Sequence, residues 1–102
     1  MKILTLIVHA NTQQELADQL RTLKQVPGFT FSHVEGHGAQ VESDPFLSAR
    51  DKVVGYAPHV RVDILLEDAD VSYVLEALRQ AENGVTGQGV YWTTSVEEGG
   101  RL

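Results

Sequence analysis

His33, Glu35 and His37 stand in an H-x-E-x-H spacing, the stretch of this 102-residue chain where imidazoles and a carboxylate come closest together. That donor set, without thiolate, suits Zn, Cu(II), Ni or Co. On a continued strand all three side chains would share one face, because successive side chains alternate. Neighbours two apart lie about 6.6 Å from each other at Cα, so His33 and Glu35 can share one ion. His33 and His37 would be about 13 Å apart unless Gly36 kinks the chain. His59 is expected to open a later strand across from the end of this one, where it would complete a set with His37 or Glu35. The same residues also fit a plainer role, with His33 filling a polar sheet edge and His37 a solvated turn; the spacing leaves both open. His9 reads as a strand-end residue.

Other chemistry is missing from the sequence. There is no cysteine, hence no thiol nucleophile, disulfide framework or thiolate metal site. No Ser-His-Asp order, P-loop or H-E-x-x-H helix is present, so the chain is expected not to be an enzyme. The net charge of −6 argues against a nucleic-acid backbone as partner, since phosphate binding is mostly cationic neutralisation. The apolar run after Lys2 is too short for a signal-peptide core, and no stretch approaches the roughly 20 apolar residues that span a bilayer. A cytoplasmic protein without direct membrane insertion is the expectation, and the length suits one domain of residues 1–102.

The elements that must position these residues can be read from periodicity. Residues 3–8 form a near-continuous apolar run with β-branched members, as in a central strand covered on both faces. Thr12 and Glu15 have the spacing of a capping box, and Leu16, Leu20 and Leu23 then recur at helical spacing, predicting a helix over 12–25 before Pro27-Gly28. Residues 29–35 alternate as a strand ending at Gly36, with Phe29 and Phe31 on one face and Thr30, Ser32 and Val34 on the other. A third strand spans 60–67, with Val60, Val62, Ile64 and Leu66 facing one way. Asp70 caps a second helix over 71–82, in which Val71, Val74, Leu75 and Leu78 share a face. VYWTTSV is the last strand; its Tyr91 and Trp92 read as core or intersubunit packing.

The order βαββαβ predicts an α+β ferredoxin-like plait, an antiparallel four-stranded sheet with both helices on one face. Strands this apolar would leave a large exposed patch on the second face, which is expected to pack against other subunits. Residues 36–58 exceed the length of an ordinary connection, and such loops are typically functional or disordered.

A plait whose long loop follows strand two at a G-x-G turn resembles the PII-like signalling proteins. The resemblance is carried by GHGAQ at 36–40, GYAPHVRVDILLED at 55–68, NGVTGQGVYW at 83–92 and the tail VEEGGRL. More narrowly, the chain is similar to a branch encoded beside heavy-metal efflux pumps of the resistance-nodulation-division class. The resemblance implies a homotrimer that binds a small effector, usually an adenine nucleotide, in intersubunit clefts. It also implies signalling through a T-loop, here about 36–58, to a transporter, enzyme or regulator. By residue, Gly36, Gly38 and Gln40 match the T-loop base, with His37 between the glycines. Gly87, Gln88 and Gly89 match the phosphate-facing B-loop of about 83–89, and Arg101 in the tail, 97–102, matches a C-terminal arginine that reaches the neighbouring site.

Two positions depart from that pattern: Ala39 stands where the family has Arg, and Val90 where it has Lys. Each charge-assisted phosphate contact is worth about 1.5–3 kcal/mol, so both losses would weaken a triphosphate by several powers of ten. The departures point to a less charged nucleotide, bicarbonate or a divalent metal ion as effector. The alternative function is a metal-binding trimer that buffers or delivers divalent ions through its histidines and carboxylates. Within the loop, Asp44, Phe46, Leu47 and Arg50 put apolar anchors among charges, a pattern suited to docking a partner, with a loop folded onto its own trimer as the competing reading.

Overall fold

The computed structural model describes residues 1–38, 56–80 and 89–102. Its elements are β1 (Lys2–His9), α1 (Gln13–Thr22), β2 (Thr30–Gly36), β3 (Ala57–Leu66), α2 (Val71–Gln80) and β4 (Gly89–Ser95). The strands pair antiparallel throughout in the order β2-β3-β1-β4, which is the ferredoxin-like plait anticipated from the element order.

Register explains which side chains become the core. Leu4, Leu6 and Val8 of β1 stand opposite Ile64, Val62 and Val60 of β3, so all six share one face. They are buried against Leu16 and Leu20 of α1 and Val71, Val74 and Leu78 of α2. Both helices therefore cover the same side of the sheet, and each fully buried aliphatic side chain contributes about 1.5–3 kcal/mol.

The helix entries differ from the expected caps. Thr12 does not close a capping box; its hydroxyl donates to the His9 carbonyl at 2.8 Å, and the chain enters α1 through a 3-10 turn at Ala10–Thr12. That turn is capped instead by His9, whose Nδ1 accepts the Asn11 N–H at 3.1 Å. Asp70 likewise belongs to a 3-10 turn, Asp68–Asp70, with its own N–H given to the Glu67 carbonyl. A hydroxyl that finds another local partner, as that of Thr12 does, is lost to capping. The first helix stops at Thr22 rather than 25 because Leu23 turns extended, with φ −91° and ψ 118°.

β3 starts three residues before the predicted point, at Ala57. It contains Pro58 without penalty on the β1 side, because β1 pairs only as far as His59. Proline is tolerated where no ladder hydrogen bond is demanded of its nitrogen.

The second face carries Ile3, Ile7, Leu65, Val90 and Trp92 around a polar centre of Thr5, Arg61 and Asp63. Among the described residues neither helix reaches it, and Val90 and Trp92 remain 47% and 41% exposed. Tyr91, opposite Leu6 on the helix-bearing side, is 48% exposed, so neither it nor Trp92 is core within one chain.

Candidate functional site

One end of the sheet collects the residues flanking the long connection. Gly36 stands opposite Ala57, His9 opposite His59, and Gly89 opposite Val8, so the end of β2, the start of β3, the end of β1 and the start of β4 lie together. Gly38 has φ +134°, a backbone region that side chains with a Cβ rarely enter. Gly36 is required for a different reason. A Cβ there would run into the Nδ1 and Cε1 atoms of the His59 ring, which lies flush on its backbone.

The His59 ring is fixed on two sides. Its Nδ1 lies 2.9 Å from the Ala57 carbonyl oxygen, which can only accept, so Nδ1 carries the proton and Nε2 keeps the lone pair in the neutral ring. The His9 ring is tilted against it with centroids 5.7 Å apart. On the loop side, His37 Nε2 is 3.3 Å from Glu35 Oε2, and the His37 ring meets that of Tyr56 at 5.6 Å. The two limbs of the connection therefore touch at its neck.

The expected quartet of metal ligands is not assembled as drawn. His33 pairs with Val60 and Glu35 with Pro58, so both point to the helix-bearing side; His59 pairs with Val34 and points to the other. The one-residue offset that sets the faces separates His59 from Glu35, and β2 stops at Gly36, so His37 is off the strand. Glu35 and His37 do come together. Among the described residues no group of three or more His, Asp and Glu side chains is placed to hold a metal ion.

The nucleotide-facing residues divide as well. Gly36, His37 and Gly38 lie at the β2 edge and Gly89 at the β4 edge of the same end, about 14 Å apart across three strand spacings. Arg101 is at the opposite end, about 30 Å away along β3. There it lines a cavity of about 360 Å³ with Met1, Pro27, Gly28 and Leu65, beside Glu67 and Asp70. Gln40, Asp44, Phe46, Leu47, Arg50, Gly87 and Gln88 fall outside the described residues.

The polar centre of the uncovered face went unnoticed in the sequence. Thr5, only 1% exposed, donates its hydroxyl to Asp63 Oδ1 at 2.8 Å. Arg61 donates through Nε to Oδ2 at 3.0 Å and through NH2 to Oδ1 at 3.3 Å, while its guanidinium lies 5.7 Å from the Trp92 ring centroid. Partial burial pushes the Asp63 carboxyl up, but the hydrogen bonds from Arg61 and Thr5 and the Arg61 charge outweigh it and hold the carboxyl below its ordinary range. The R-x-D alternation in β3 was the available signal. Thr5 joins only through the β1–β3 register.

Fold and sheet-end geometry define a ferredoxin-like plait whose long connection leaves the sheet through a glycine-framed neck. The whole chain, residues 1–102, matches the family described as "Protein of unknown function (DUF3240)", and the chain belongs to that family. It is similar to curated proteins called nitrogen regulatory protein P-II. Identity is 27% with that of Rhodospirillum rubrum, over 100% of this chain and 91% of the relative. It is 31% with that of Azospirillum brasilense, where the match spans 72% of this chain and 66% of the relative. A crystal structure of a DUF3240-family protein from Shewanella baltica shares the fold, with TM-score 0.76 at 20% identity, covering 99% of this chain and 94% of that one. Among the described residues no helix is long and apolar enough to cross a membrane.

Proposed function

We propose that this chain is a PII-like regulatory protein rather than an enzyme. It works as a cytoplasmic homotrimer, holds a small effector in clefts between subunits, and signals through the connection between β2 and β3 to a partner such as a heavy-metal efflux transporter. The distant likeness to nitrogen regulatory proteins supports the regulatory class. The observation that carries the reading is geometric. Gly36 and Gly38 frame the neck of the connection at one end of the sheet, where the His37 and Tyr56 rings meet, while Arg101 lines a separate cavity at the other end, beside Glu67 and Asp70.

Calorimetry with ATP, ADP, AMP and cAMP tests the effector class, and bicarbonate extends it. The expected preference is for a less charged nucleotide over ATP, since Ala39 and Val90 supply no cation. No heat with any nucleotide would remove the nucleotide reading. Co-purification of an efflux-pump component under metal stress, lost when residues 42–52 are deleted, tests the partner.

The contact between Glu35 and His37 favours one alternative, a trimer that buffers or delivers divalent ions through such pairs. Equilibrium dialysis with Zn and Cu separates the two. Metal retention abolished by changing His33, His37 and His59 to Ala supports it, and retention that survives those changes sinks it.

A further inference from the structure

Two rungs of the β2–β3 ladder overhang the rest of the sheet. β3 pairs with β1 only from His59 onward, whereas it pairs with β2 as far as Ala57, which stands opposite Gly36. The rungs Glu35–Pro58 and Gly36–Ala57 therefore form a two-stranded ribbon with no third strand paired beside them. A two-stranded ribbon is marginal on its own. The parts of this one are weak, since Gly36 has no side chain to pack and Pro58 has no N–H to give. The His59 ring braces it from the sheet side, where it lies on Gly36.

On the connection side a different contact closes it. Past the last rung, the His37 ring of the β2 limb meets the Tyr56 ring of the β3 limb, with centroids 5.6 Å apart and planes 35° from parallel. Glu35 Oε2, 3.3 Å from His37 Nε2, ties the imidazole back to β2. Both groups of that polar contact are more than 60% exposed, so it contributes little by itself. Tyr56 is half-buried, and Gly38, with φ +134°, follows His37 directly. Side chains take over where the backbone ladder stops.

We propose that the His37 and Tyr56 rings are a clasp on this ribbon, setting where the two limbs of the long connection part. With the clasp closed, the limbs separate after His37 and before Tyr56. With it open, the ribbon unzips to the rung Val34–His59, where β1 joins and the sheet becomes three-stranded. Three residues on each limb are then released, which lengthens the reach of the connection by about 10 Å. One aromatic pair shifts such a balance about two- to tenfold, within the range that a partner preferring one state can override. The use of the clasp rests on the reading that the connection signals to a partner, and it names the part that moves.

Amide hydrogen exchange, followed by NMR on the whole chain, tests the clasp without any partner. His37→Ala and Tyr56→Leu are each expected to speed exchange of the ribbon amides, Glu35, Gly36 and Ala57, about two- to tenfold. The double variant should exchange no faster than the single ones, and Tyr56→Phe, which keeps the ring, should match wild type. Amides of Leu6 and Val62, inside the sheet, report that the fold is intact and should not change. Unchanged ribbon exchange in both single variants, or effects that multiply in the double variant as independent changes do, overturns the clasp. Failure to co-purify a transporter component bears on the signalling reading alone.

Discussion

The imidazole of His59 occupies the space that a side chain on Gly36 would need, so the first strand bordering the long connection and the second are fitted to each other atom by atom. The ring is held there by its bond to the Ala57 carbonyl. Gly36→Ala is expected to cost about 1–3 kcal/mol, as overpacking does. Adding His59→Ala should recover much of that loss, giving a coupling of about 0.5–3 kcal/mol in a urea-unfolding cycle. Additive effects would mean that the ring yields freely and that Gly36 serves only as a bend.

Asp63 makes stability depend on acid pH in a defined direction. Its folded carboxyl titrates below the ordinary value, so its contribution is fully present above about pH 3.9 and is lost as pH falls through the lower folded value. Asp63→Asn should lower the melting temperature at pH 7, and the gap to wild type should close as pH drops below about 4. Both partners are partly exposed, so the gap corresponds to about 1 kcal/mol or less. A gap that persists at pH 2.5 would assign the effect to packing rather than to charge.

Much of this architecture was legible in the sequence because hydrophobic period survives without tertiary information. The alternation of Val60, Val62, Ile64 and Leu66 and the helical spacing of Val71, Val74 and Leu78 named the core correctly. What failed was local competition and register. Thr12 looked like a cap but found the His9 carbonyl, and His59 looked like a partner for Glu35 until pairing with Val34 turned it to the other face. Pairing register between strands far apart in sequence sets such faces, and no single-strand pattern contains it.

Trp92 lies on the face that, among the described residues, no helix covers, against the Arg61 guanidinium. Trp92→Lys removes an aromatic anchor and places two cations together, so it should leave the helical circular-dichroism signal intact while lowering the mass in solution. Unchanged mass would place the contact surface elsewhere.

Arg101 is the cation of the cavity beside Pro27 and Gly28. Arg101→Ala should weaken whichever nucleotide gives heat in calorimetry by about 1.5–3 kcal/mol, roughly ten- to a hundredfold in Kd. An unchanged Kd would remove Arg101 from the effector site.

The central claim is that the site belongs to an assembly and not to one chain. Light scattering coupled to size exclusion, over a range of protein concentrations, measures this most directly. The account predicts three times the 11.2 kDa of a single chain. A mass of one chain throughout would contradict it.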